Sequence, residues 1–323
     1  MNRHLPVIRQ CPSIALFAAI VLACLPISGC RSAQQILFAE GEEQLRRLAF
    51  AEAYATFSSY TRQFPKYSEG YYNLGLAAAG LGRSSEAMAD FDSVLAREPS
   101  DVDARWMRFK LRGQRIESLK DSSGGALHPG PMQETMISAL TALQLEELTA
   151  IMQLDRDDIS AWYERGKLLR SLGRREEAKK DLDAALLNSP WDIWVRNERG
   201  GLSLEMGDYD AALEDYDAAL KVCDTCTWLL YNKALSLKAS GKAAGAKKVL
   251  AALVVLDSLD GEAWFLLGEC NILLKRRADA CAAFSRSMEL GVREAKERVL
   301  ELCRVPLSLH KLVLAVADPM GWY

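Results

Sequence analysis

The stretch Gly200 to Leu220, GGLSLEMGDYDAALEDYDAAL, decides the fold, because its marks return along the chain every 34 residues. In rows counted from Gln34, Gly200 falls at the eighth place, together with Gly41, Gly75, Gly166, Ala234 and Gly268. Ala212 falls at the twentieth with Ala53, Ala87, Ala178, Ala246 and Ala280. Tyr216 falls at the twenty-fourth with Phe57, Phe91, Leu182, Leu250 and Phe284. Small and large residues at fixed offsets in a period of this length predict stacked pairs of antiparallel helices.

Each mark has a mechanical reason. The eighth and twentieth places are expected where the two helices of a row cross, and a residue with little side chain lets the backbones approach to packing distance. Glycines at the fifteenth place (Gly82, Gly173, Gly207, Gly241) can take the positive φ that ends the first helix. Pro65, Pro99 and Pro190 close their rows, because proline has no N–H to continue a helix.

On these residues, and on Tyr71-Tyr72-Asn73-Leu74-Gly75, the chain resembles the tetratricopeptide repeat family. Rows start at Gln34, Ser68, Val102, Ile159, Ile193, Thr227 and Gly261. The resemblance implies an all-α fold, an α-solenoid of about seven helix-turn-helix repeats over residues 34–291. Row three departs from the pattern: Phe109 stands where a small residue is expected, and about 23 extra residues precede row four. The glycines and prolines of 120–135 predict an irregular insertion there, either a tolerated surface loop or a partner-binding flap. Helical spacing resumes from Thr135 to Leu154. Val292 to Cys303 reads as a capping helix, with Ala295, Val299 and Leu302 on one side. The apolar tail 304–323 is expected to fold back on the array or to dock on a partner or membrane surface.

Arg3 and Arg9 precede an apolar run from Ile14 to Leu25, so residues 1–29 have the order of an export signal. Ile27-Ser28-Gly29-Cys30 resembles the bacterial lipobox, which implies cleavage before Cys30, lipid on that cysteine, and a short lipidated N-terminus at 30–33. Arg31, where aspartate would favour inner-membrane retention, points to the outer membrane, facing the periplasm.

Loss of residues 1–29 removes two arginines and no acid, moving the formal charge from −3 to −5. A mildly acidic, well-mixed surface argues against nucleic acid as a partner. No serine-hydrolase, zinc-protease or phosphate-loop motif is present, so no catalytic residue, metal site, cofactor or small-molecule substrate is expected. Cys223 and Cys226 form a CxxC in the turn between rows five and six, leaving open a local disulfide, inert thiols, or redox or metal work. Cys270 and Cys281 on row seven, with Cys303 beyond, allow one more bridge and leave an odd cysteine.

Stacked hairpins turn their first helices toward a concave groove. The fifth place then lines it with Phe38, Tyr72, Trp106, Tyr163, Asn197, Tyr231 and Phe265, and the second place adds Trp194 and Trp228. Lys110, Lys167 and Arg170 predict a basic middle, while Asn73 and Asn232 can hydrogen-bond a ligand backbone. These features predict a membrane-anchored scaffold that binds envelope proteins or peptides. The family's full clamp for a C-terminal carboxylate is not reproduced. Lipoproteins resembling this one serve pilus and secretion pores, outer-membrane assembly, or envelope proteases and cell-wall hydrolases.

Overall fold

A computed structural model of the chain describes residues 32–121 and 130–303. Residues 1–31, with the expected export signal and Cys30, residues 122–129 with His128, and residues 304–323 lie outside the described residues. The described residues form helices without strands, in two compact units, 1–155 and 156–323.

The first unit holds three hairpins: α1 (Ala33–Arg46) with α2 (Phe50–Gln63), α3 (Ser68–Gly80) with α4 (Ser84–Arg97), and α5 (Val102–Asp121) with α6 (Pro131–Leu154). The second holds four more: α7 (Ile159–Ser171) with α8 (Arg175–Asn188), α9 (Ile193–Met206) with α10 (Tyr209–Leu220), α11 (Thr227–Ala239) with α12 (Ala243–Leu256), and α13 (Gly261–Leu273) with α14 (Arg277–Glu289). A last helix, α15 (Arg293–Leu302), packs on α14.

Within a hairpin the contact that sets helix spacing is glycine against ring. A Cβ on Gly200 would sit 2.9 Å from the Tyr216 ring, on Gly75 2.9 Å from Phe91, and on Gly41 2.5 Å from Phe57. The eighth-place glycine therefore makes room for the twenty-fourth-place side chain, rather than only for the alanine at place twenty. Those large side chains are at most 1 % exposed, and burial of each stabilises its hairpin by roughly 2–3 kcal/mol.

Row three differs from the predicted irregular insertion over 120–135. Its fifteenth place is Ile116, not glycine, and nothing there ends the first helix, so α5 runs on to Asp121. α6 starts at Pro131, a favoured first helical residue, with the Gly130 N–H donating to Gln133 Oε1 at 2.9 Å. The extra residues thus lengthen both helices, to 20 and 24 residues, and helix takes up both ends of the stretch that the glycines and prolines mark as irregular.

Two features keep successive hairpins in register. Aspartates just before first helices cap them: Asp158, Asp192 and Asp260 accept from backbone N–H groups of α7, α9 and α13. Cations at place seven reach carboxylates on second helices. Arg165 pairs with Asp181, Arg199 with Asp215 and with Asp183 of the preceding hairpin, Lys233 with Asp217, and Arg108 with Asp92 and Glu147.

Candidate functional site

The first helices of successive hairpins lie beside one another, α1 on α3 in the first unit, and α7, α9, α11 and α13 in turn in the second. Their common face carries the aromatic ladder. Most of its rungs turn out to be packing. Phe38 meets Phe57 at 5.7 Å between ring centroids and Tyr60 at 5.4 Å, Tyr72 meets Phe91 at 5.5 Å, and Phe265 meets Phe284 at 5.4 Å. Each fifth-place ring thus leans on the core ring of its own hairpin, an edge-on or tilted contact typical of cores. Trp106 likewise stands edge-on to Phe109 at 5.4 Å. Asn73 is half-buried on α3, and Lys110 on α5 is exposed, with no ion pair among the described residues.

In the second unit two indoles behave differently. Trp194 on α9 and Trp228 on α11 stack face to face, 4.8 Å apart and 7° from parallel, and Trp194 remains 56 % exposed. Trp228 is half-buried and packs on the cluster of Ala212, Tyr216, Ala219 and Leu229, so of the two it is Trp194 that keeps most of its ring in solvent. One turn along, the Asn232 amide donates to Asn197 Oδ1 at 2.8 Å, tying α11 to α9 and occupying one of the groups expected to meet a ligand backbone.

The charge of this face corrects the expected basic middle. Arg170 donates to Glu198 at 2.7 Å and to Glu205 at 3.0 and 2.6 Å, and Gly201 leaves the space its guanidinium fills: a Cβ there would lie 2.8 Å from it. Lys167 is held by Glu164 at 3.1 Å and lies 5.0 Å over the Tyr163 ring. Lys238 pairs with Glu269. The Tyr163 phenol is pushed up to about 12, first by burial and then by Glu198, Glu164 and Asp192. Lys167 and Arg170, two of the three cations the sequence offered to a ligand, are thus paired within the second unit's face, whereas Lys110 in the first unit is not.

Cys223 and Cys226 are joined by a disulfide, with Cα atoms 5.5 Å apart, and Cys226 stands at the N-cap of α11 where other rows have aspartate. A second bridge links Cys281 on α14 to Cys303, just past α15. The odd cysteine is Cys270, buried in the core, where burial raises its thiol to about 11. Among the described residues no group of three metal-ligating side chains converges. The place-seven cations and the aspartate caps escaped the sequence reading. Both recur at one row spacing, so laying charges beside the apolar marks would have exposed them.

Helical hairpins in register, with open first-helix faces and no convergent reactive groups among the described residues, define a repeat scaffold. Family profiles described as tetratricopeptide repeat match residues 38–108 and 231–290 in one form, and 159–190 and 195–226 in another. The chain belongs to the tetratricopeptide repeat family, whose members are generally non-enzymatic scaffolds that bind protein partners. No curated protein matches it. Among solved structures it is similar to the C-terminal part of a repeat protein from Cytophaga hutchinsonii, at 14 % identity and a TM-score of 0.62, covering 80 % of this chain and 98 % of that one. A repeat protein from Parabacteroides merdae aligns at 16 % identity and 0.55, covering 88 % and 98 %. Pseudomonas aeruginosa pilF aligns at 18 % and 0.53, covering 72 % and 97 %. At these identities the likeness is one of fold.

Proposed function

We propose that the chain is a lipid-anchored scaffold of the bacterial cell envelope, facing the periplasm from the outer membrane, that holds protein partners on the first-helix faces of its hairpins. One observation carries the binding reading: Trp194, 56 % exposed, stacks on the half-buried Trp228 and leaves a large aromatic surface in solvent. The lipobox-like Ile27-Ser28-Gly29-Cys30 supports the anchor. Bridges at Cys223–Cys226 and Cys281–Cys303 fit an oxidising compartment.

The test has two arms. Crosslinking in intact envelopes followed by mass spectrometry should give partner crosslinks on α9 and α11 that vanish in a Trp194→Ala, Trp228→Ala chain with unchanged helical circular dichroism. Cys30→Ala should remain uncleaved, keeping its apolar segment, and take up no lipid label. Crosslinks indifferent to both tryptophans would remove the binding face, and cleavage and lipid labelling of Cys30→Ala like the parent would remove the anchor.

A second reading, thiol redox work or metal binding at Cys223 and Cys226, rests on the Cys226 position at a helix N-terminus, where backbone amides favour thiolate. Thiol trapping in cells separates the two: a bridge that never opens excludes exchange chemistry.

A further inference from the structure

The second-place ladder of the second unit brings an acidic residue into the row of the indole stack. Along α9, α11 and α13 that place reads Trp194, Trp228, Glu262, so the indole stack is followed by a carboxylate. Glu262 is exposed and has no ion pair among the described residues. The cations of the same face do have partners: Lys167 with Glu164, Arg170 with Glu198 and Glu205, and Lys238 with Glu269. Tyr231, one turn from Trp228, has its phenol raised by burial and next by Glu262, Asp260 and Glu269.

We propose that this face takes a basic segment of a partner protein, with a lysine or arginine side chain laid against the indole stack beside Glu262. The assignment rests on the binding face argued under Proposed function and adds the chemistry of its occupant. A cation over an indole gains from the ring's quadrupole, and a neighbouring carboxylate adds to it without first giving up a partner of its own. An acidic segment would meet Glu262 while Lys167, Arg170 and Lys238 are already engaged by carboxylates, and would be repelled.

Three fluorescent peptides, identical at their aromatic and leucine positions and carrying lysine, serine or glutamate between them, test this on the full mature chain by anisotropy. The lysine peptide should bind roughly tenfold tighter than the serine peptide, with the difference shrinking at high salt, and the glutamate peptide weakest. Glu262→Gln should loosen the lysine peptide several-fold and leave the serine peptide unchanged, and Glu262→Lys should reverse the order. Equal binding, tightest binding by the glutamate peptide, or no binding by any of the three overturns the proposal. If partner crosslinks still depend on Trp194 and Trp228 in that event, only the basic occupant falls; if they do not, the binding face falls with it.

Discussion

Arg165 and Asp181 meet through two parallel N–H···O bonds, 2.7 and 2.8 Å long, between the two helices of one hairpin. The carboxylate is 3 % exposed, so its solvation comes from this guanidinium. Arg165→Met should cost about 3–5 kcal/mol, because it leaves a buried charge uncompensated, whereas the double change with Asp181→Leu should recover most of the loss. Urea unfolding followed by circular dichroism measures both. A single variant as stable as the parent would show that Asp181 finds water in place of its partner.

Leu48 and Lys275 hold the positive φ that Gly82, Gly173, Gly207 and Gly241 supply in other rows, at 58° and 59°. A residue with a Cβ pays roughly 1–2 kcal/mol in that region. Glycine at either position should therefore stabilise its hairpin by about 1 kcal/mol after its greater unfolded-state freedom is allowed for. Gly207→Ala, at φ 79°, should do the reverse. Thermal melts of the three variants decide this, and a destabilising Lys275→Gly would contradict it.

The hairpin count and the core were legible in the sequence because steric marks recur strictly: Gly200 against Tyr216 is one fact repeated down the chain. Row three was legible only as a departure. The glycines and prolines of its insertion read as a loop, but Ile116 at the turn position removes the stop and lets α5 continue. The binding face was half legible. Residue type placed Phe38, Tyr72 and Phe265 with Trp194 and Trp228, yet only the packing separates rings leaning on the core ring of their own hairpin from Trp194, which stacks on the neighbouring indole and stays in solvent. Lys167 and Arg170 likewise counted as positive charge until their carboxylate partners appeared on the same face.

The two disulfides close loops of unequal size, so their stabilising effects should differ. Cys281–Cys303 spans a sequence separation of 22 and Cys223–Cys226 one of 3. On the chain-entropy account the longer closure is worth roughly 3 kcal/mol and the shorter roughly 2. Cys303→Ser should therefore loosen α15 and α14, visible as faster amide exchange there, because each hairpin of a stacked array leans only on its neighbours. Cys223→Ser should disturb only the turn between α10 and α11. Equal exchange in the last hairpin with and without Cys303 would show that packing of Ala295 and Val299 alone holds the cap.

Asp90 shows what happens when the ion-pair register is broken. Place seven of its row is Leu74, and the next such cation, Arg108, is taken by Asp92 and Glu147. Burial, and then Glu86, pushes the Asp90 carboxyl up from 3.8 to about 6. A carboxyl raised in the folded state binds more protons there than in the unfolded chain between those two values, so its contribution to stability is full below about 4 and is lost as pH rises through about 6. The loss is on the order of 1–2 kcal/mol once the screening of a partly exposed group is allowed for. Asp90→Asn should remove that slope and leave the chain more stable than the parent at pH 7. Chemical unfolding across this pH window measures it, and a parent whose stability instead climbs steadily from pH 4 to 6 with an unchanged profile in the variant would place Asp90 in water rather than against the hairpin.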